Sequence, residues 1–419
     1  MRINRLLGWI ALLSFYLLHT QITAQTELKG SVTDEKTGEP LGFVYVLLKN
    51  NQSRGVLTND LGEYEITLNA QDLQDSLIFS LLGYHTKAVS LSDLPATGEA
   101  QLDISMASSF VELNQVVVSA RLDPQVVIQR AIKSIPKNYG TMEYLLKGYY
   151  REYGITDGQY ASITEAMITI EDGLYTSPKR HSRIYLDELR RSDFHGDTPG
   201  GLRGGDVNSV YNLYESFTNC ARIQQLHWMW TKKNNFIEAF TFKTNGIYFS
   251  GSDTLMRIGY TLDTDESNAA ANSLRFFAGW TEGEVLINLT DYGIMQNRRG
   301  SEEDHSYTEV IYHKISGRYF PHRLTNVFGF EYGWNQFYLS NRVLFFTKIV
   351  AREDNVRSYK RRKLLPYKKR LEEIDHQYNE QFWSTNRIVA SLSAAQALEV
   401  DLNRGKKLIE QFRDNGKRQ

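Results

Sequence analysis

Histidine and acidic residues could build a metal or acid–base site, but their spacing in this chain disfavours both. The nine histidines are scattered. No His-Glu-x-x-His is present, the spacing with which zinc peptidases place two ligands around one ion. Glu302 with His305, and Glu373 with His376, have the spacing of carboxylate-bridged metal sites. They lie in a polar turn and a charged tail, so we expect no metal or other cofactor.

Nucleophile and phosphate motifs are also missing from the sequence. There is no Gly-x-Ser-x-Gly elbow for a serine hydrolase. The glycine-rich run 200–206 lacks the Gly-Lys-Ser/Thr ending of a phosphate loop. Cys220 is the only cysteine, which excludes an intramolecular disulfide. The sequence therefore indicates a protein that is not a recognisable enzyme, although an unrecognised site stays open.

Two acidic groups are the remaining candidates for chemistry. Glu165, Glu171 and Asp172 flank a strand-like run and could act as acid and base. Asp193, His195 and Asp197 lie near the glycine-rich run and could coordinate a cation. We interpret the first group as a solvated strand edge and the second as a solvated loop. We therefore predict no catalytic, cofactor-binding or metal-ligating residue.

The N-terminus predicts export. Residues 1–24 contain Arg2 and Arg5, an apolar run from Leu6 to Leu18, and a polar end. This pattern is typical of a signal peptide cleaved between Ala24 and Gln25, and the run is shorter than the ~20 residues that span a bilayer. Cleavage would change the formal charge from −1 to −3. We expect a periplasmic or outer-membrane-associated protein with no nucleic-acid partner.

Residues 28–91 alternate apolar and polar side chains in short runs that are separated by turn residues. Such alternation predicts strands with one buried face, and the apolar positions are Val32, Val44, Val46, Leu48, Tyr64, Ile66, Leu68, Leu77 and Phe79. Several short strands with frequent turns indicate an antiparallel sandwich.

Fixed glycine, turn and aromatic positions add a family resemblance. They are Gly30-x-Val32-x-Asp34, Thr37-Gly38-Glu39-Pro40-Leu41, Gly55-x-x-Thr58-Asn59-Asp60-x-Gly62-x-Tyr64 and Leu82-Gly83-Tyr84. Together they resemble the carboxypeptidase-regulatory-like domain, a transthyretin-like β-sandwich of exported Bacteroidetes proteins that include TonB-dependent receptors. The resemblance implies a fold rather than an activity. We expect seven strands of immunoglobulin or transthyretin type over residues 25–110.

The rest of the chain predicts a linker, a helix and a larger sheet. Residues 111–123 form the linker, and Asp123 caps a helix that begins at Pro124. Aromatic and branched runs up to Ala351 predict an antiparallel, curved sheet with helices packed against it, in a domain over 124–351. The fold class is therefore mainly β and α+β overall. The strand–turn–strand from Gly283 to Gln296 is similar to half-barrel lipoprotein carriers, which hold an acyl chain.

Residues 352–419 predict a basic, helical C-terminal tail. Nine Lys and Arg residues lie between Arg352 and Leu371, Phe382 and Trp383 could dock the tail on the sheet, and a final helix is expected over Ala394 to Phe412. Gly405 within that helix is unfavourable for its continuity.

These features favour a non-catalytic, exported cell-envelope protein that binds a protein, glycan or lipid through its β domains. Two alternatives stay open. One is a hydrolase of envelope polymer with an unrecognised site in the second domain. The other is an accessory to TonB-dependent outer-membrane uptake, because the chain is too short to be a full receptor barrel. The sequence does not indicate an oligomeric state.

The basic run generates a first prediction. Changing Lys360, Arg361, Arg362 and Lys363 to serine should weaken association with the envelope, because each cation near an anionic surface contributes ~1 kcal/mol. Fractionation at low and high salt measures this effect. Identical fractionation of the variant and the parent chain would refute the membrane role of this run.

Overall fold

A computed structural model describes most of the chain. The described residues are 25–50, 55–59, 61–81, 83–108, 122–139, 144–172, 182–195, 210, 213, 236–250, 253–263, 282–301, 303–315, 317–332, 336–351, 363–366, 369–385, 394–403 and 405–416. They form two compact units, of which the first ends at Ala107 and the second begins at Ser108.

The described residues of the first unit form eight strands in two sheets. The strands are β1 (Gln25–Asp34), β2 (Tyr45–Leu48), β3 (Gly55–Leu57), β4 (Glu63–Asn69), β5 (Ser76–Ser80), β6 (Lys87–Ser90), β7 (Gly98–Gln101) and β8 (Ile104–Met106). One sheet has the order β4-β1-β7, with β8 also on β1, and the other has the order β3-β2-β5-β6. Buried residues of both sheets, including Leu28, Val46 and Phe79, form one core. The predicted sandwich is confirmed.

Two of these strands occupy a single strand position. β7 pairs in parallel with the first half of β1 and β8 with the second half. The register is continuous, since Thr26 lies opposite Gly98 and Val32 opposite Ile104. The break falls where the Asp103 carboxylate accepts hydrogen bonds from the backbone and hydroxyl of Ser31. Seven strand positions therefore build the sandwich, as predicted.

The described residues of the second unit form eleven strands and four α-helices. The strands are β9 (Tyr144–Thr156), β10 (Gln159–Asp172), β11 (Arg183–Arg191), β12 (Phe240–Ser250), β13 (Asp253–Leu262), β14 (Glu282–Asn288), β15 (Gly293–Ser301), β16 (Ser306–Ile315), β17 (Arg318–Tyr332), β18 (Gln336–Ala351) and β19 (Lys363–Leu364). The helices are α1 (Pro124–Asn138), α2 (Glu380–Thr385), α3 (Ala394–Leu402) and α4 (Leu408–Asn415).

All eleven strands join one antiparallel sheet. Its order is β12-β13-β14-β15-β16-β17-β18-β9-β10-β11-β19. Consecutive hairpins explain most neighbours, but β9 pairs with β18, which follows it by about 180 residues along the chain. The predicted large antiparallel sheet with packed helices is confirmed.

One face of this sheet packs on α1. The Asp123 carboxylate accepts a hydrogen bond from the backbone of Gln125, so the predicted cap is confirmed. The buried stripe of α1, formed by Val127, Ile128, Ala131, Ile132 and Ile135, joins the same core as residues of the sheet. The helix continues two residues beyond Pro136 and ends at Asn138, whose side-chain amide donates to the Asp291 carbonyl.

The C-terminal helices lie at the β10–β11 end of the sheet. α3 contacts β10 and α4 contacts β11. Trp383 is buried, and the Arg190 guanidinium lies 4.4 Å from its ring, which confirms the predicted docking role of this residue. These contacts place the C-terminal elements in the second unit, whereas the boundaries proposed at 110, 123 and 351 stay predictions.

One local prediction was wrong. The single helix expected over Ala394 to Phe412 is two helices, α3 and α4, and Gly405 between them has a left-handed φ of 78°. At the end of the predicted sheet, β18 is one unbroken strand, because Asn341 and Arg342 continue the ladder opposite β9. Residues 1–24, most of the linker and the basic residues 352–362 lie outside the described residues. No helix of the described part is long and apolar enough to cross a membrane.

Gly30 of the sandwich is packed so closely that a methyl group added at this position should destabilise the unit. A Cβ built at Gly30 would lie 1.9 Å from the Leu102 carbonyl oxygen and 2.9 Å from the Tyr64 ring. Gly30→Ala should therefore destabilise the first unit by about 2 kcal/mol. Hydrogen exchange of β1 and β4 peptides measures this loss. Glu27→Ala on the exposed side of β1 is the control, and equal exchange in both variants would contradict the prediction.

Candidate functional site

Side chains on the α1 face of the sheet form a continuous apolar row. It crosses nine strands in register, through Ile258, Val285, Asn297, Val310, Leu324, Leu344, Tyr150, Ala166 and Leu189. Eight of these nine residues belong to the buried core around α1, and Asn297 is the exception. We call this set the apolar row.

A row of polar side chains lies immediately beside it on the same face. Successive strands place in register Arg299, Thr308, Asn326, Arg342, Glu152, Thr164 and Arg191. We call this set the polar row. Residues two apart on a strand share a face, so the two rows are about 7 Å apart. The face therefore changes from apolar to polar within one step along seven neighbouring strands.

An ion pair occupies the centre of the polar row. The Arg342 guanidinium donates from Nε to Glu152 Oε1 at 2.8 Å, and both side chains are about one-fifth exposed, 22% and 19%. The Tyr150 hydroxyl donates to Glu152 Oε2 at 2.7 Å from the apolar row. The Glu152 charge raises the pKa of Arg342 above its usual range. The pair fixes a hydrogen-bonded charge at the apolar boundary.

Two further titratable groups surround Glu152. Burial raises the pKa of Tyr338 to about 12, with a contribution from Glu152, and the Tyr338 hydroxyl lies over Gly154 on β9. The pKa of the Glu372 carboxyl is raised by desolvation and then by repulsion from Glu152, although the residue keeps exposed surface. Glu372 is therefore more readily protonated than an ordinary glutamate.

The last member of the polar row anchors the C-terminal segment. Arg191 is buried, and its Nη1 donates to the carbonyls of Leu371 and Ile374, both at 2.9 Å. Its Nη2 donates to the Asn415 carbonyl at the end of α4, at 3.0 Å. Free carbonyls at a helix C-terminus favour a cation. Arg191 is thus a structural member of the row.

Asn297 differs from its neighbours in the apolar row. The residue is 2% exposed, and no donor in the described part of the chain reaches its Oδ1 atom. The sequence did not single it out, because strict alternation from Ile294 places position 297 on the opposite face. A bulge in the β14–β15 pairing, between Leu286 and Ile287, reverses that assignment.

The opposite face carries Glu165, one of the predicted acid–base candidates. Its carboxylate is 1% exposed and lies 3.1 Å from Arg151 and 2.5 Å from Arg190. The Tyr149 hydroxyl also donates to it. Burial alone would raise the pKa of Glu165, but Arg190 and Arg151 lower it to about 2. A permanently ionised, fully paired carboxylate suits a structural role.

The other acidic candidates are not brought to Glu165. Glu171 accepts from the Tyr185 hydroxyl at 3.0 Å and lies 3.7 Å from Arg183. It follows Glu165 by six residues on the same strand, which corresponds to about 20 Å. Asp172 ends that strand. These carboxylates therefore do not form an acid–base pair, and the solvated edge expected at this position is instead a buried network at Glu165.

The predicted cation group is also dispersed. The Asp193 carboxylate accepts from the Asn415 amide at 3.0 Å, and the His195 backbone donates to the Ala161 carbonyl. Asp197 lies outside the described residues. His376 contacts Glu188 at 3.2 Å rather than Glu373, which pairs with Arg370. No cluster of three metal-ligating side chains occurs among the residues that the structure describes.

The sandwich can be compared with known domain families. Residues 28–118 match the model of the CarboxypepD_reg-like domain. The first unit is therefore similar to a CarboxypepD_reg-like domain. The resemblance inferred from the glycine and turn positions is confirmed over this segment, and the CarboxypepD_reg-like domain covers the sandwich rather than the large sheet. A comparison with curated proteins found no match.

Solved structures show only a distant likeness. A DUF1329 family protein from Desulfovibrio piger is 7% identical, with 57% of this chain and 97% of that chain covered and a TM-score of 0.26. A putative outer membrane lipoprotein-sorting protein domain from Vibrio parahaemolyticus is 8% identical, with 54% of this chain and 92% of that chain covered and a TM-score of 0.27. A LolA superfamily protein from Nitrosomonas europaea is 10% identical, with 55% of this chain and 94% of that chain covered and a TM-score of 0.24. Such low scores establish no shared ligand.

The buried pair network predicts a pH-dependent stability. The pKa of Glu165 is lower in the folded protein than the ordinary 4.5, so its contribution is present above pH about 4.5 and is lost as the pH falls towards about 2. Glu165→Gln should remove this acid-side component and cost about 3–5 kcal/mol at neutral pH, since Arg151 then lacks its buried partner. Urea unfolding across this pH range measures both effects.

The matched control is Glu373→Gln, which breaks an exposed pair with Arg370. Exposed pairs contribute about 0–1 kcal/mol. Parallel pH profiles for the Glu165 variant and the parent chain would contradict the role assigned to this carboxylate.

Proposed function

We propose that the chain is a non-catalytic, exported cell-envelope protein that binds an amphipathic lipid on the α1 face of its large sheet. The observation that carries the proposal is the step from the apolar row to the polar row across seven neighbouring strands. An acyl chain would lie beside the apolar row, within the buried core around α1, and a polar head group would lie beside the polar row.

An acyl ligand that entered the core beside the apolar row would be stabilised by burial. Moving each methylene from water to an apolar surface contributes about 0.8 kcal/mol. The apolar row and the polar row are about 7 Å apart, so a head group joined directly to an acyl chain can reach the polar row. The Arg342–Glu152 pair would then present both a donor and an acceptor to that head group.

An aromatic cluster lies at the margin of the same face. Phe328 is 44% exposed and its ring centroid lies 5.5 Å from that of Phe330. Phe330 in turn lies 5.8 Å from Tyr338. Tyrosine and phenylalanine rings suit the boundary between hydrocarbon and water. This cluster would contact a lipid as it enters, which favours a lipid over a protein or glycan partner.

The second candidate is a hydrolase of envelope polymer. It is favoured by one observation, the raised pKa of Glu372 beside the arginine-paired Glu152. A carboxyl group with a raised pKa can act as a general acid. Glu372→Gln would abolish cleavage of envelope polymer if this candidate were correct and would leave lipid binding intact if it were not. A role beside TonB-dependent uptake stays a prediction.

Lipid binding can be tested directly. Protein purified from native envelope without detergent should release lipid into organic solvent, and the emptied protein should bind a fluorescent fatty acid such as cis-parinaric acid. Thr308→Trp fills the polar row beside Arg299 and should lower probe affinity at least about tenfold, a change of about 1.4 kcal/mol.

Lys243→Trp on the exposed side of β12 is the matched control, since it adds the same ring away from both rows. A parent chain that carries no lipid and does not bind the probe would refute the proposed function.

A further inference from the structure

We infer that Asn297 recognises a hydrogen-bond donor at the head of the acyl chain, so that the preferred ligand is an amide-linked or hydroxylated acyl lipid rather than a plain ester. This inference rests on the proposed lipid site and deepens it. Its basis is a single buried amide in an otherwise apolar row.

The neighbours of Asn297 offer its Oδ1 atom no hydrogen bond. Val285 and Val310 are its cross-strand neighbours, and both belong to the apolar core. The side chain is 2% exposed, and its Oδ1 atom has no donor in the part of the chain that the structure describes. A buried acceptor without a partner is unfavourable, so native structures supply a donor from protein, water or ligand.

The other buried asparagines in the described part of this unit have hydrogen-bond partners. Asn288 Oδ1 accepts from the Thr290 backbone at 2.9 Å. Asn138 Nδ2 donates to the Asp291 carbonyl, and Asn415 Nδ2 donates to the Arg191 carbonyl. These three residues stabilise turns and helix ends. Asn297 lies in the middle of a strand, where there is no turn or helix end for its side chain to stabilise.

The unpaired Oδ1 atom of Asn297 determines which linkage between acyl chain and head group it can recognise. A carbonyl oxygen only accepts hydrogen bonds, so its partner must carry N–H or O–H. An ester has acceptors alone, whereas an N-acyl amide or a hydroxyl on the acyl chain supplies the donor. Asn297 lies one step, about 7 Å, from the polar row. That is where an acyl chain beginning at the polar row would carry its linkage.

A matched pair of ligands tests this inference. N-dodecanoylglycine and its ester analogue, dodecanoyloxyacetic acid, differ only in N–H against O at the linkage. Displacement of cis-parinaric acid from the full chain should show about tenfold tighter binding of the amide, the factor expected for one hydrogen bond to a buried acceptor. Asn297→Leu should reduce this preference to about one.

The outcomes separate this inference from the proposed function. Asn245→Leu on the exposed side of β12 is the control and should keep the preference, while Asn297→Ala repeats the test if the leucine variant folds poorly. Equal binding of both ligands by the parent chain would overturn the role of Asn297 and leave a buried water as its partner, with lipid binding intact. Binding of neither ligand would overturn the proposed function as well.

Discussion

The pairing of β9 with β18 is the interaction on which the second unit depends. It joins the β9–β11 strands to the β12–β18 meander across about 180 residues of intervening chain. Thirteen register pairs form this junction, and the Arg342–Glu152 bond lies within it. Without it the two rows on the α1 face would each be divided. The cost is the closure entropy of a long loop, which is offset only when the whole ladder forms.

Charged side chains on the two faces of this sheet differ in their burial and pairing. On the face opposite α1, Glu165 is enclosed by Arg151 and Arg190, which favour its ionised state and lower its pKa. On the α1 face the polar row retains partial exposure at its centre, where Arg342 meets Glu152. A buried, fully paired network fixes the positions of its side chains, whereas a partly exposed pair beside an apolar surface can exchange partners with a ligand.

Local patterns predicted most elements but few of the contacts between them. Alternation predicted the strands and the stripe of α1, since side-chain direction depends only on backbone period. The partner of β9 could not be predicted, because no nearby turn connects it to β18. Two further features of the sheet depend on bulges. One near Tyr160 shifts β10 by a residue and places Arg151 opposite Glu165, and another assigns Asn297 to the apolar face. Neither bulge has a clear sequence signal.

The chain order of the sheet has a consequence for biosynthesis. A ribosome adds about 5–20 residues per second, so roughly 10–40 s separate the completion of β9 from the arrival of β18. During that interval a long, aromatic-rich strand lacks its neighbour and could pair with another nascent chain. The availability of chaperones that hold this unpaired strand would therefore limit the yield of this protein more than its final stability does.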